Sequence, residues 1–513
     1  MKTFLKTKED IFFLIINIST IGYALFEFYR FGNGNNKYGI SYYARYGRSF
    51  LSSIEFETEY TEFFKYVSSA FYWLIFHCIC CEFVRYINAE RVTVVHAIFG
   101  ISFLFSTYKM PIIATSITAL LSFYIAMRSA KKRIVWFTLL AWLCFAGLVK
   151  FDMRSRKFIS KNVTHLEIFN GITAVGWQII RLTSYTLDYC DALSNVNNSV
   201  KNAEFGRKFS LVNFIAFSFY LPFFAQGPPT IYMNYLSMIN ENKLGKNCDL
   251  QKRVKNLLIE LMRLAGTSFV AIVMMHYLYA EAISYDPYLV KELKGWPLYG
   301  LAISTGLYFS FVYMLKYQLG SALARFDRID APPKPKCCLR IHKNSLTWRH
   351  LDKGLYDFVL KYIYIPTRNL TTNWNKCGRF LVYGFVTFWH CPGSSIWVLF
   401  WVWSNCAILC IELLGRYICK SKVYERISSV IGSSNMSRIN KIFGSQLLIF
   451  QTAFALLFLS DHKIFLHVMY ETYVNNTLLS YSILSLAIYS LYHVSDLIFQ
   501  HEKHQHSNEI KNK

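Results

Sequence analysis

Residues 385–405 read FVTFWHCPGSSIWVLFWVWSN, and the stretch around them, from Phe380 to Ile411, carries no Asp, Glu, Lys or Arg. A run of this kind supplies the roughly 20 mainly apolar residues that a helix needs to cross a hydrocarbon core. The whole chain keeps that character. Of its 513 residues 54% are hydrophobic and 18% aromatic, with only 17% charged, a balance far from that of a soluble multidomain protein. Candidate spans lie near 11–28, 63–85, 92–108, 111–127, 133–149, 209–226, 265–284, 296–318, 380–411, 445–460 and 477–499. The stretches around 174–181 and 380–390 are short or interrupted by glycine and read as re-entrant. The expectation is an all-α, polytopic membrane protein with about ten to twelve transmembrane or re-entrant helices. It forms one unit over 1–513, with no internal repeat and no soluble domain long enough to fold alone.

The formal charge of +24 sits in the connections between these spans: RSAKKR at 128–133, KFDMRSRKFISK at 150–161 and KLGKNCDLQKRVKN at 243–256. Short basic loops belong on the cytoplasmic side, against anionic headgroups. Because the basic residues are dispersed rather than gathered on one face, nucleic acid is excluded as a partner. Membrane lipids or an anionic cofactor such as an acyl-coenzyme A fit better. Lys2, Lys6 and Lys8 precede an apolar core as in a signal sequence, but no A-x-A site follows, so an uncleaved first span is expected. The thirteen cysteines form no disulfide framework. His77, Cys78, Cys80 and Cys81 gather in HCICCEF at 77–83 and suggest metal, yet helical spacing scatters them around the axis, so no metal is expected there. Sequons occur at Asn162, Asn369 and Asn475.

Two connections are long. One runs from about 319 to 352 and carries Pro332, Pro333 and Pro335, which oppose a continuous helix; the other covers 415–442. Against this background two ionisable side chains stand out, because a charge inside a bilayer costs roughly 2.5 kcal/mol or more. His390 lies within the uncharged run, with CPG at 391–393 bending the chain after it. The position fits a polar cavity or a histidine brought to the headgroups. Asp352 lies in SLTWRHLDKGLYDFVLKYIYIP at 345–366. If that segment is helical up to Pro366, Trp348, Leu351, Asp352, Leu355 and Val359 share one face. The plainer reading is a surface aspartate beside Arg349 or Lys353. A third feature is the break at Gly227, Pro228 and Pro229, of the kind that lines cavities at membrane depth or simply forms a loop.

Together these pieces resemble the membrane-bound O-acyltransferase superfamily, and within it the Hedgehog acyltransferase branch. YLPFFAQGP at 220–228 is similar to the family's Y-x-P-x(4)-G-P segment. W-R-x-x-D-x-G-L at 348–355, continuing through KYIYIP at 361–366, is similar to the branch's aspartate motif, and W-H at 389–390 sits where the family histidine belongs. The resemblance is clearest over 205–415. The family commonly follows its W-H with two glycines, whereas here Cys391 and Pro392 come before Gly393.

The resemblance implies a helical bundle around a reaction chamber in the endoplasmic reticulum membrane, or the Golgi, and an enzyme with His390 and Asp352 as catalytic residues. The donor would be palmitoyl-coenzyme A, with Trp348 beside it as a gate or wall. The acceptor would be the α-amine of an N-terminal cysteine on a secreted signalling protein. Cys337, in PPKPKCC at 332–338, matches a family cysteine that binds haem iron; the residues alone equally allow S-palmitoylation of Cys337 or Cys338. Which of Asp352 and His390 acts as base stays open at this level. So do a different acceptor, such as a protein serine or a lipid, and a non-catalytic membrane scaffold or transporter.

Overall fold

The computed structural model describes residues 7–34, 59–151, 165–194, 199–243, 250–370, 377–390 and 394–511. Among them every regular element is a helix. The helices that matter here are α1 (Lys8–Gly34), α2 (Glu59–Asn88), α3 (Val92–Thr107), α4 (Met110–Arg128), α5 (Lys132–Phe151), α6 (His165–Leu193), α7 (Leu211–Ser218), α8 (Leu221–Phe224), α9 (Leu250–Tyr277), α10 (Trp296–Phe326), α11 (Asn344–Leu351), α12 (Lys353–Val359), α13 (Gly378–His390), α14 (Ile396–Ile418), α15 (Lys422–Ile431), α16 (Ser433–Leu459) and α17 (Leu478–Lys511). Nine stretches among the described residues are long and apolar enough to cross a membrane, and one of these, Phe63–Thr107, contains both α2 and α3. The protein is a multi-pass membrane protein.

Local chemistry sets several of the boundaries. Thr7 and Asp10 cap α1 reciprocally, the amide of each donating to the side chain of the other at 3.0 and 3.1 Å, so two of the orphan donors at the helix start are satisfied. Asn88 leaves the helical region and caps the single turn at 89–91 through Glu90, which folds α2 back into α3. Arg85 near the end of α2 meets Asp327 just past α10, at 2.5 Å, and Arg253 at the start of α9 meets Glu82 at 2.6 Å. These pairs bring the end of α2, the start of α9 and the end of α10 to one end of the bundle. The short connection 108–109 returns α4 to that end, where Arg128, Lys131, Lys132 and Arg133 join it. These basic residues therefore share one end of the bundle, in keeping with the positive-inside tendency.

At the centre stands α6, which the sequence did not offer as a full span. Its 29 residues are buried almost throughout, and Gln178, Arg181, Thr183, Ser184 and Thr186 are fully enclosed. Hydropathy misses such a helix because its polar side chains face protein rather than lipid. It packs against α4, α5 and α7. Arg181 caps carbonyls from a neighbouring segment: its Nε and Nη2 donate to Ser218 O at 3.2 and 3.0 Å, and its Nη1 donates to Phe223 O at 2.8 Å. Those carbonyls are free because the expected span 209–226 is not one helix. It breaks between α7 and α8, where Pro222 occupies the first turn of α8 and so interrupts the hydrogen-bond ladder.

Other expectations also shift. The run 380–411 is two helices, α13 of 13 residues and α14 of 23, and the bend expected at 391–393 lies outside the described residues, as does the sequon at Asn162. The connection 243–256 contributes its second half to α9, the connection 319–352 its first residues to α10, and 415–442 folds as the end of α14, the amphipathic α15 and the start of α16.

Candidate active site

Asp352 does not lie on a continuous helix. With φ −132° and ψ 78° it ends α11 and caps α12, and its Oδ1 accepts from the Leu355 amide at 3.0 Å. Aspartate is a preferred N-cap, so the residue terminates the helix that would have carried it on an apolar stripe. Its other oxygen, Oδ2, accepts from the Tyr317 hydroxyl of α10 at 2.9 Å. Enclosure by protein, first among the causes, pushes the carboxyl up to about 6 against these two hydrogen bonds, since a charge removed from water is disfavoured. The side chain is half-buried rather than sealed. Neither Arg349 nor Lys353 pairs with it: Lys353 bonds Asp357, and Arg349 lies over the Tyr356 ring at 5.6 Å.

Two close-packed glycines, Gly354 of the aspartate motif and Gly320 of α10, allow this arrangement. A β-carbon on Gly354 would stand 1.8 Å from the carbonyl oxygen of Pro229, and one on Gly320 would stand 2.4 Å from Gly227 O and 2.6 Å from Pro222 O. Backbone cannot yield as a side-chain tip can. The 220–229 segment is therefore clamped between α10 and the start of α12, with Asp352 next to the clamp. Lys361 fixes the far end of this region to α6 through Asp188, at 2.7 and 2.9 Å.

His390 ends α13, half-buried. Its ring stands nearly perpendicular to those of Trp401 and Phe458, with centroids 5.4 and 5.1 Å away. Trp401 lies 5.8 Å from Trp348, which also meets the edge of Tyr383 at 6.0 Å. On the other side Trp389 lies 5.2 Å from Trp177 of α6, and Trp177 lies 6.3 Å from Tyr317. The contacts thus run from Asp352 through Tyr317, Trp177, Trp389, His390 and Trp401 to Trp348, and the chain of α11 closes the circuit from Trp348 to Asp352. The structure brings Asp352, His390 and Trp348 into one aromatic-walled region. Tyr317, Trp177 and Arg181 were not singled out from sequence. An isolated arginine in WQIIR at 177–181 was the available signal for α6; Tyr317 carried none.

Cys337 lies in the loop that returns to α11, where the Lys336 amide donates to His350 O at 3.0 Å. Its thiol lies below its ordinary value, first through a hydrogen bond from Cys338 and also through the Leu339 amide and the Arg340 charge. A thiolate of this kind suits an iron ligand in its donor chemistry.

The family profile of MBOAT, the membrane-bound O-acyltransferase family, matches residues 135–453. Among curated proteins, the chain is 25% identical to protein-cysteine N-palmitoyltransferase Rasp of Drosophila melanogaster over 65% of this chain and 63% of that one. It is 25% identical to protein-cysteine N-palmitoyltransferase HHAT of Mus musculus, over 50% and 52%. To membrane-bound O-acyltransferase GUP2 of Saccharomyces cerevisiae it is 28% identical over 39% and 31%. The chain thus spans between 31% and 63% of the length of these relatives.

Proposed function

The chain belongs to the membrane-bound O-acyltransferase family, and on that premise we propose that it transfers palmitoyl from palmitoyl-coenzyme A to the α-amine of an N-terminal cysteine. The acceptor is a secreted signalling protein of the Hedgehog type, the product is an amide, and the reaction takes place in the endoplasmic reticulum membrane or the Golgi. The observation that carries this reading is the aromatic circuit joining Asp352 to His390. An acyl transferase needs a proton acceptor and an electrophile-binding group around one space that excludes water, and these two are the ionisable side chains in that circuit.

The proposed chemistry follows from the two groups. A peptide's N-terminal amine ordinarily titrates at roughly 7.7–8.0, so a nearby carboxylate can take its proton without extreme perturbation. Asp352, pushed up to about 6, is ionised at neutral pH yet is a stronger base than an exposed aspartate. Tyr317 holds Oδ2 in place. The amine nitrogen bonds to the thioester carbon, the carbon–sulfur bond breaks, and the amine proton passes to Asp352. His390 donates to the thioester oxygen as charge develops there, or protonates the departing thiolate. Trp348 lines the acyl donor. The basic end of the bundle, read as cytoplasmic, receives the anionic coenzyme A, and the peptide enters from the lumen. Haem on Cys337 is part of the same proposal, supplying a bound iron centre to that loop and no step of the transfer.

A different acceptor is the second reading, favoured by the stretch shared with GUP2. The experiment uses purified protein in detergent, labelled palmitoyl-coenzyme A, and peptides beginning with free cysteine, N-acetylated cysteine or alanine. Label on the free-cysteine peptide alone is expected. Label on none of them, from folded protein that binds the donor, sinks the assigned acceptor and leaves a lipid or serine acceptor, or a scaffold.

A further inference from the structure

Helical spacing does scatter the cysteines of HCICCEF, but it keeps His77 and Cys81, four residues apart, on one buried face of α2. His96 of α3 and Asp327 after α10 join them there. One ligand atom from each of these four residues lies within 4.8 Å of the others, and their exposures are 1%, 1%, 0% and 3%. The geometry points to a structural metal site at this cluster, taking one divalent ion of the zinc class and tying α2, α3 and the end of α10 together.

Three observations support it beyond proximity. The Nε2 of His77 stands 3.6 Å from the sulfur of Cys81, close to the roughly 3.5 Å edge of a tetrahedron built on zinc–sulfur and zinc–nitrogen bonds. The Nε2 of His96 stands 2.8 Å from Asp327 Oδ2 yet makes no hydrogen bond among the described residues. A fully buried imidazole nitrogen left in this way is costly, and an ion bound by His96 Nε2 removes the cost. Lastly, the surrounding groups are those that orient ligands around a metal. The other nitrogen of His96 lies 2.7 Å from the Tyr235 hydroxyl, Tyr220 donates to Asp327 Oδ2 at 3.0 Å, and Arg85 donates to Asp327 Oδ1 at 2.5 Å.

Two imidazoles, a thiolate and a carboxylate form a donor set of the zinc type. Binding releases the Cys81 proton. The thiolate and the Asp327 carboxylate then offset the two charges of the ion, while Arg85 and Arg253 share Glu82, whose side chain is 21% exposed and opens the remaining positive charge towards water. The role is structural because no position is left open for a substrate. Its effect nonetheless reaches the candidate active site: Tyr220, held by Asp327, begins the 220–229 segment clamped by Gly320 and Gly354.

The test reads metal, not acyl transfer. Full-length protein purified in detergent without chelators is assayed for metal by mass spectrometry and for its ligands by X-ray absorption. About one zinc per chain is expected, with one sulfur at about 2.3 Å and the other ligands at about 2.0–2.2 Å. Cys81→Ser and His96→Gln should lose the metal, whereas Cys78→Ser, on another face of α2, should keep it. A strong chelator should lower the melting temperature of the wild type, and zinc should restore it. Folded wild type with no stoichiometric metal, and no thermal response to added zinc, overturns the site and leaves a hydrogen-bonded network. Zinc that survives Cys81→Ser and His96→Gln, or that shows no sulfur ligand, overturns it equally.

Discussion

Asp352→Asn should stabilise the protein at neutral pH while removing its activity. Asparagine keeps the shape of the side chain and an oxygen for the Leu355 amide, and it caps helices as well as aspartate does, so what changes is the charge. The carboxyl is raised from 3.8 to about 6 by enclosure. A raised folded-state value means that the folded protein favours the protonated form. The contribution is fully present below the unfolded value near 4 and is lost as pH rises through about 6. Ionised Asp352 therefore costs at most about 3 kcal/mol at pH 7.5, at 1.36 kcal/mol for each pKa unit. Because the side chain is half-buried, about 1–2 kcal/mol is the expected gain for Asp352→Asn. The assay is a pair of detergent melts, wild type against variant, at pH 7.5 and at pH 4. The variant should melt about 1–2 °C higher at pH 7.5 and level with the wild type at pH 4, while acyl transfer falls by about 10²–10⁴-fold, as for a lost general base. A variant that melts lower than wild type at pH 7.5, or that differs equally at both pH values, refutes the account of Asp352 as an enclosed, strained base.

Tyr317→Phe removes a hydrogen bond that favours the Asp352 carboxylate, so the acidic limb of the pH–rate profile should move upward by about half a unit or more, as for a lost neutral hydrogen bond; an unmoved limb denies the contact a role. Gly354→Ala would place a methyl group 1.8 Å from Pro229 O, and size-exclusion profiles should show loss of the monodisperse peak, while Gly384→Ala, with nothing within 4 Å, should keep it. Arg181→Met strips buried carbonyls of Ser218 and Phe223 of their donor, at about 1–3 kcal/mol each, and a melt several degrees lower checks it.

The fold was legible wherever a helix faces lipid. Phe380 to Ile411 declared itself by the absence of charge, and so did the first spans. It was illegible where a helix faces protein, as in α6, whose Gln178, Arg181 and Ser184 dilute the hydropathy they owe to burial among partners. The break expected at Gly227 to Pro229 is there, but the earlier one between α7 and α8 was not legible, because Phe219, Tyr220 and Leu221 read as continuous apolar sequence; the Ser218 and Phe223 carbonyls around it are satisfied by Arg181, from another helix. At the candidate site, Asp352, His390 and Trp348 could be named from sequence through local motifs. Tyr317 could not, because its partner lies on another element and no spacing links them. The same holds for His96 and Asp327, which reach His77 and Cys81 from separate helices.

The central claim is that the region joining Asp352 to His390 is where amine meets thioester. The measurement that tests it most directly is single-turnover transfer of labelled palmitoyl from coenzyme A to a free-cysteine peptide, by wild type, Asp352→Asn and His390→Ala, with donor binding followed in parallel. The account predicts a loss of about 10²-fold or more in each variant, with palmitoyl-coenzyme A still bound. Transfer within a few-fold of wild type in either variant would contradict it.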